Sequence, residues 1–336
     1  MEVDRPFEIG TYIDLMTDFG FKRIFGEESN RQFLIDFLNA LFNGEIIVDD
    51  VVYDNSEYKG MTRESRGLIY DIYCHAKCDE TEKNHKSSRH FIIEMQRTRQ
   101  EFFDERAVYY VSNAVARQGE KGSDYDFHLV PVVGIFFMNF LFRKAERKDD
   151  EMVELHMLMN TKTHELLNDA VRLYFIKLPL MRERAEECKD DMERWIYCIK
   201  NLQNMDTMPF NSPIFQKLGR IASVANLSND DLLTYERELK YARDRHNQMA
   251  YAKKEAREEG LAEGRAEGRV QGRAEGRAEG RAEGLSEGIR KGRRMMLKES
   301  IANMKKLELT DSQIASILNI TPEELRQLAS ENNDQF

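Results

Sequence analysis

The sequence predicts an α/β core followed by a helical extension and a small C-terminal helical module. Three observations indicate this fold class. Apolar residues recur with helical spacing at 30–42, three short runs rich in β-branched residues follow, and a second helix-period segment precedes a strongly apolar run at 127–140. The predicted order is therefore helix, three strands, helix, strand, and 336 residues suffice to bury a sizeable core around it.

The first predicted element is an amphipathic helix over Asn30–Phe42. Five apolar side chains recur at helical spacing along it: Phe33, Leu34, Phe37, Leu38 and Leu41. Ser29 is a suitable N-cap, and Asn43-Gly44 is a suitable stop because both residues tolerate a left-handed backbone.

Three strands are predicted next, because β-branched and aromatic residues dominate three short segments. These are Glu45–Tyr53, Leu68–Ala76 and His90–Gln96. The segment between the last two, Lys77–Arg89, is polar throughout and is interpreted as a loop.

Helix and strand signals alternate beyond this point. Glu101–Gln118 has the period of a helix, and Phe127–Phe140 is so apolar that a strand buried on both faces is expected. A helical patch is predicted near Thr163 and a further strand at Val171–Leu178, and Met181–Glu255 is mostly helical in pattern.

A glycine repeat dominates the region after residue 256. Nine glycines fall at every fourth position from Gly260 to Gly292, in units such as RAEG. A four-residue step overshoots a helical turn, so the glycines wind around a helix, and each costs it about 1 kcal/mol relative to alanine. Like charges also sit four apart, so an isolated helix is expected to be weak. Two interpretations remain: a flexible spacer, or a helix paired with its twin from another subunit.

The C-terminal tail turns basic at Arg290, and three short amphipathic helices are predicted within Leu297–Ser330. Each has its own signal: Ile301, Met304 and Leu307 in the first, Thr310 with Ile314, Ile317 and Leu318 in the second, and Thr321-Pro322 at the start of the third. The arrangement is typical of a small helix-turn-helix, and it fits an assembly module as well as a DNA-reading one.

Composition limits the classes of function. No segment approaches the roughly 20 apolar residues of a membrane helix, and the start of the chain is acidic rather than signal-like, so we expect a cytoplasmic location and no membrane partner. The net charge of −10 gives no general attraction to DNA, which would need a local basic surface such as Lys83–Lys121. The four cysteines have no zinc-binding spacing and are expected to be buried thiols: Cys74, Cys78, Cys188 and Cys198.

Two carboxylates stand out in the predicted strands. Glu94 and Gln96 lie two residues apart and therefore share one face of a strand, while Asp71 interrupts the apolar run of the preceding strand. If these strands are neighbours, Asp71 and Glu94 converge at one end of the sheet. Such an oxygen-rich site suits Mg²⁺ or Mn²⁺. The alternative is that each acid faces solvent or pairs with an arginine.

Several motifs together resemble the Rpn family of recombination-promoting nucleases, also described as putative transposases of the PD-(D/E)XK nuclease superfamily. The resemblance spans roughly residues 10–250. It is carried by DFGFKRIFG (Asp18–Gly26), YDIYC (Tyr70–Cys74), IIEMQ (Ile92–Gln96) and ERAVYY (Glu105–Tyr110), together with the helix after the first motif. It implies a restriction-endonuclease-like core and a Mg²⁺-dependent DNA endonuclease linked to recombination, mobile elements or phage biology.

Two positions depart from the motif that names this superfamily. Tyr70 stands in place of the proline and Gln96 in place of the lysine, as in the Rpn-like ExQ pattern. A glutamine orients water or phosphate by hydrogen bonds but supplies neither charge nor base. Lys22 or Arg106 is then the candidate for the missing cation; the alternatives are a surface charge for Lys22 and a structural ion pair with a helix carboxylate for Arg106.

Three further polar residues have less defined roles. Asp18 is either an additional metal ligand or a helix cap. His75 and His90 have no partner at an informative spacing and are expected to be structural.

The predicted organisation is a nuclease-like core at 1–180, a helical extension at 181–256, a glycine-repeat stalk at 257–294 and a small helical module at 295–336. The expected function is metal-dependent DNA cleavage, in a homo-oligomer assembled through the repeat and the C-terminal module. Two alternatives stay open: a catalytically silent DNA-binding or scaffold protein, and a transposase with strand-transfer activity.

Overall fold

The computed structural model describes residues 9–58, 68–80, 85–119, 128–141, 151–182 and 184–330. The chain divides into two compact units, Met1–Asn247 and Gln248–Phe336. The four regions expected from the sequence divide the chain more finely and stay predictions.

The described residues form eight strands and eight α-helices. The strands are β1 (Ile46–Tyr53), β2 (Glu57–Tyr58), β3 (Leu68–Ile69), β4 (Ile72–Glu80), β5 (His85–Gln96), β6 (Val132–Met138), β7 (Val153–Met157) and β8 (Val171–Lys177). The helices are α1 (Asp18–Phe21), α2 (Arg31–Phe42), α3 (Phe103–Ala116), α4 (Asp191–Asn201), α5 (Pro213–Ala222), α6 (Asn229–Lys306), α7 (Asp311–Leu318) and α8 (Pro322–Ser330). A five-residue π-helical turn, Lys22–Gly26, directly follows α1.

A six-stranded mixed sheet organises the first unit, in the order β1-β4-β5-β6-β8-β7. β4 is antiparallel to both β1 and β5, whereas β5, β6 and β8 run parallel to one another, and β7 closes the far side antiparallel to β8. The predicted α/β class is confirmed, as is the order helix, strands, helix, strand. The strands β2 and β3 form a separate two-stranded sheet.

Helices cover both faces of the sheet. One apolar cluster joins the sheet to α2, α4 and α5, and a second cluster joins it to α3. All residues of β6 are buried, which confirms a strand enclosed on both faces. Gly134 in β6 allows the close approach of α3, because a Cβ there would lie 2.7 Å from the Val111 side chain.

The helix α2 agrees closely with its prediction except at its start. It runs from Arg31 to Phe42, and Asn43 ends it in a left-handed conformation with φ of 47°. The N-cap position belongs to Asn30, so the assignment to Ser29 was wrong. A 3₁₀ turn over Glu28–Asn30 precedes the helix and contains Ser29, which places this residue one position too early to cap it.

Three local predictions are wrong. Lys77–Arg89 is not a loop throughout, because β4 extends to Glu80 and β5 begins at His85, and the extended strands pair with each other. Strands that pair through their backbones outside the core need no apolar pattern, so the polar sequence gave no sign of these strand extensions.

The predicted strand at Leu68–Ala76 is interrupted between β3 and β4, and the segment near Thr163 is a turn rather than a helix. The strand β7 was not predicted.

The glycine repeat lies entirely within α6, so the structure has the helical form of the repeat rather than an irregular spacer. Residues 243–296 are exposed along this helix. The first of the three predicted C-terminal helices is the end of α6 and not a separate element.

The second unit has a small apolar core of its own. Ile301, Ile314, Ala315 and Leu325 are buried there, where α7 and α8 pack with the end of α6. Thr310 caps α7 through a reciprocal arrangement with Gln313, as its position predicted, and α8 begins at Pro322. Two apolar residues assigned to these helices, Leu307 and Ile317, are exposed instead.

Two compositional expectations can be compared with the described residues. None of the helices they form combines the length and the apolar character that a membrane crossing requires. Three of the four cysteines are buried thiols, Cys74, Cys78 and Cys198, whereas Cys188 is only partly buried.

Candidate active site

Asp71 and Glu94 meet at the end of the β4–β5 pair. Because Ile72 pairs with Ile93, Asp71, the residue before β4, lies beside Glu94. The backbone N–H of Asp71 donates a hydrogen bond to Glu94 Oε1 at 3.0 Å, and the backbone N–H of Met95 donates to Asp71 Oδ2 at 2.8 Å. Asp71 lies between β3 and β4, outside both strands, and its N–H donates to Glu94 instead of to a neighbouring strand. Each carboxylate is therefore held by the backbone next to the other.

Burial makes this pair of acids electrostatically unfavourable. Glu94 is only 1% exposed, and burial first, then the neighbouring Asp71, raises its pKa to about 8. Burial also raises the pKa of Asp71, against the hydrogen bond from the Met95 N–H, which lowers it. Two adjacent carboxylates with raised pKa values favour either a shared proton or a bound cation between them.

Arg106 is the cation nearest to Glu94. It extends from α3, and its Nη2 lies 3.6 Å from Glu94 Oε2. Its guanidinium packs over the rings of Tyr110 and Phe103 and donates a hydrogen bond from Nη1 to Gln100. Arg106 thus faces a strand carboxylate rather than a carboxylate of its own helix.

Lys22 and Asp18 lie in one cleft with Asp71. Lys22 is the first residue of the π-helical turn, and its Nζ lies 2.8 Å from Asp18 Oδ1. Asp18 does not cap α1, because the Thr17 hydroxyl accepts the hydrogen bond from the Gly20 N–H in that position. All three residues line one cleft of about 450 Å³.

Gln96 lies on the same face of β5 as Glu94, two residues further along, and is 8% exposed. Its backbone carbonyl accepts a hydrogen bond from Asn139. Within the described part of the chain, no hydrogen bond joins its side-chain amide to Asp71 or Glu94.

Two arginines of the basic segment Lys83–Lys121 form ion pairs inside the fold rather than facing solvent. Arg89 is buried and forms an ion pair with Asp169 at 2.6 Å, and Arg97 forms one with the buried Asp14 at the same distance. These two arginines therefore stabilise the fold, and fewer positive charges face solvent than the sequence suggested.

Sequence reasoning missed three acids that line the cleft: Glu27, Asp54 and Glu238. Glu238 from α6 lines the same cleft as Asp71, and its Oε2 accepts a hydrogen bond from the Phe19 N–H at 2.8 Å. It lies far along the chain from the other site residues, within a segment that reads as an ordinary polar helix. Nothing in its local pattern indicated this position.

The two histidines, expected to be structural, have a partner that sequence spacing did not reveal. His75 Nδ1 lies 2.8 Å from Asp54 Oδ2, and His90 Nδ1 lies 4.0 Å from the same oxygen. Their positions depend on the register between β4 and β5, where His75 pairs directly with His90. That register is not readable from either strand alone.

Comparison with protein-family models matches residues 15–252 to the PD-(D/E)XK nuclease family transposase. The match covers more than two thirds of the chain and contains all the candidate residues described above. Comparisons with curated proteins and with solved structures gave no match. The mixed α/β sheet and the family match agree with the resemblance seen in the sequence motifs. The chain belongs to the PD-(D/E)XK nuclease family transposases.

Proposed function

We propose that this protein is a metal-dependent DNA endonuclease in which Asp71 and Glu94 hold Mg²⁺ or Mn²⁺. The observation that carries the proposal is the reciprocal contact of these two carboxylates at the end of β5, within a chain of a nuclease family. DNA is the substrate that the family implies. We place the reaction in the cytoplasm, in recombination or mobile-element biology.

The residues present fit a hard divalent cation. Asp71 and Glu94 offer carboxylate oxygens, which Mg²⁺ and Mn²⁺ prefer. Burial raises the pKa of both acids, and Arg106 approaches Glu94 only to 3.6 Å. A divalent cation would supply that charge and favour the ionised form of both acids.

A bound cation would stabilise negative charge on the phosphate and acidify a water molecule. The chain itself has three tasks in hydrolysis: to hold the cation, to compensate the charge on the phosphate, and to orient water or phosphate. Asp71 and Glu94 would hold the cation at the end of the β4–β5 pair. Arg106 forms an ion pair with Glu94, and Lys22 lines the same cleft as Asp71. Both cations can compensate the charge that develops on the phosphate. Gln96 can orient water or phosphate by hydrogen bonding, but its amide does not accept a proton as a general base.

Plasmid cleavage tests the proposal. Supercoiled DNA is incubated with the full-length protein in Mg²⁺, in Mn²⁺ and in EDTA, alongside Asp71→Asn, Glu94→Gln and the control Glu57→Gln. Glu57 is an exposed acid on β2 and has no part in the proposed site. We expect cleavage only with metal, its loss in both site variants, and normal cleavage by the control. Full cleavage by either site variant would overturn the assignment.

The same assay separates the two alternatives. A silent scaffold would bind DNA without cutting it under any metal condition. A transposase would join a labelled DNA end to the plasmid, which gives a product that hydrolysis does not. The family description includes transposases, so the strand-transfer assay accompanies the cleavage assay.

We further propose that the chain forms homo-oligomers through the glycine repeat of α6 and the C-terminal module. A Cβ added at any glycine from Gly260 to Gly292 would meet no atom of the chain within 4 Å, so this stripe is open to another helix. In most repeats glutamate precedes the glycine and arginine follows it, so the two charges flank the glycine stripe on opposite sides of the helix. The glutamates of one chain could then pair with the arginines of another. Two nuclease units held in one assembly would suit cleavage of both DNA strands.

A further inference from the structure

A second polar cluster lies on the face of the sheet that carries Glu94. His75 in β4 is directly opposite His90 in β5, and both side chains project from the same face. Asp54 follows the end of β1, where its backbone N–H donates to the Tyr73 carbonyl at 2.9 Å. Three neighbouring strands thus bring one carboxylate and two imidazoles together.

The spacing of the donor atoms is close to that of a metal site. One ligand atom from each of Asp54, His75 and His90 can be chosen so that all three lie within 4.8 Å of one another. Zinc binds imidazole nitrogen and carboxylate oxygen at about 2.0–2.2 Å, so tetrahedral ligand atoms lie roughly 3.4 Å apart. The separations of 2.8 and 4.0 Å from Asp54 Oδ2 to the two Nδ1 atoms bracket this value. Small side-chain rotations therefore suffice.

The surroundings support one ring in place. The ring of Tyr73 stacks on that of His90 at an interplanar angle of 9°, which fixes the plane of the imidazole. The Tyr73 hydroxyl lies 3.2 Å from His90 Nδ1, and it would give up this contact when Nδ1 binds an ion. All three candidate ligands are half-buried, so an ion can reach them from solvent and retain an open coordination position.

We propose that Asp54, His75 and His90 form a second metal site, for a borderline transition cation of the Zn²⁺ class. Two imidazoles favour such an ion over Mg²⁺, which prefers oxygen ligands. Asp54 lines the same cleft as Asp71, but the ligand set differs from the acid pair. His75 lies four residues from Asp71 in an extended chain, or about 13 Å away. The ion would fasten the end of β1 to β4 and β5, the two strands that position Asp71 and Glu94. This inference does not depend on the proposed nuclease activity.

Zinc stoichiometry tests the second site by itself. The full-length Asp71→Asn, Glu94→Gln double variant serves as the parent, since it removes the carboxylate pair that could also bind Zn²⁺. The protein is loaded with Zn²⁺, freed of excess metal by gel filtration and analysed for bound zinc, and calorimetric titration gives the affinity. We expect about one equivalent in the parent and at least tenfold weaker binding after His75→Ala, His90→Ala or Asp54→Asn.

His156→Ala is the matched control. His156 also lies on a strand and approaches a carboxylate, at 3.7 Å from Glu154, but it belongs to no such cluster among the described residues. This variant should bind zinc as the parent does. Trp195 fluorescence verifies folding of each variant, and His75→Gln provides a more conservative replacement should His75→Ala unfold. Absence of zinc from the folded parent, or unchanged zinc in folded His75 and His90 variants, would overturn the proposal.

Discussion

Replacing Glu94 by glutamine should make the metal-free protein more stable at pH 8 while destroying cleavage. Glu94 is buried, and its pKa is raised from an ordinary value of 4.5 to about 8. Below pH 4.5 the carboxyl is protonated in both folded and unfolded chains, so it has no effect. Between these values the unfolded chain releases a proton that the folded chain retains, so the free energy of unfolding falls as pH rises. Above pH 8 Glu94 is ionised in both the folded and the unfolded chain, so the amount by which it lowers the free energy of unfolding stays constant. This amount is the penalty for burying the ionised carboxylate.

The size of this penalty follows from the two pKa values. Each tenfold difference in proton affinity corresponds to about 1.4 kcal/mol, which gives a ceiling of roughly 5 kcal/mol at pH 8. Glutamine avoids this cost, and the attraction of Arg106 does not enter a second time because it already lowers the pKa of Glu94. At pH 8 Glu94 is only about half ionised in the folded chain, so the difference in stability stays below the ceiling. We therefore expect Glu94→Gln to be about 2–4 kcal/mol more stable than the wild type at pH 8, and nearly equal to it at pH 4.5.

Denaturant unfolding in EDTA measures the difference. Trp195 is the single tryptophan and is fully buried in the core of the first unit, so its fluorescence reports unfolding of that unit. Glu57→Gln, an exposed acid, serves as the control and should follow the wild-type pH dependence. Excess Mg²⁺ should stabilise the wild type at pH 8 but not Glu94→Gln. Parallel curves for wild type and Glu94→Gln from pH 5 to 8 would refute the reasoning.

Four further outcomes are expected. Arg106→Ala should slow cleavage by roughly 10- to 100-fold without unfolding the protein, measured as the initial rate on plasmid DNA; an unchanged rate would leave Arg106 a structural role. Gln96→Ala should slow the same rate by only about tenfold, because one positioning hydrogen bond is lost. Deleting Leu261–Phe336 should reduce the subunit number in light scattering and weaken double-strand cutting more than nicking, whereas equal subunit numbers would exclude the tail as the main assembly element. Changing Gly268 and Gly272 to alanine should stabilise an isolated helix by about 1 kcal/mol each, which circular dichroism measures as increased helicity. If these glycines face a partner helix, the same change should lower the subunit number measured by light scattering.

The parts of the fold that pack against the core were predictable. The apolar stripe of α2 and the fully apolar β6 have unambiguous periods, because each element buries most of its surface. The convergence of Asp71 and Glu94 was also predictable, since alternation along a strand and pairing of successive strands fix where two such residues lie.

Features that depend on pairing beyond the core were not predictable. The extension of β4 and β5 is held by backbone hydrogen bonds, which leave no apolar signature in Lys77–Arg89. The proximity of His75 to Asp54 requires two registers at once, and Glu238 reaches the cleft only through the packing of α6 on the core. Local sequence holds none of this information, because tertiary structure decides it.

The antiparallel ladder between β4 and β5 also determines where this chain tolerates a change in length. Ile72 pairs with Ile93 and Glu80 with His85, so residues inserted between Glu80 and His85 leave every pair of the ladder intact. Each doubling of such a connection costs only about 0.6 kcal/mol of closure entropy. A single residue inserted inside β5 instead shifts the register and turns Glu94 to the opposite face. An epitope or reporter inserted between Glu80 and His85 should therefore preserve the acid pair.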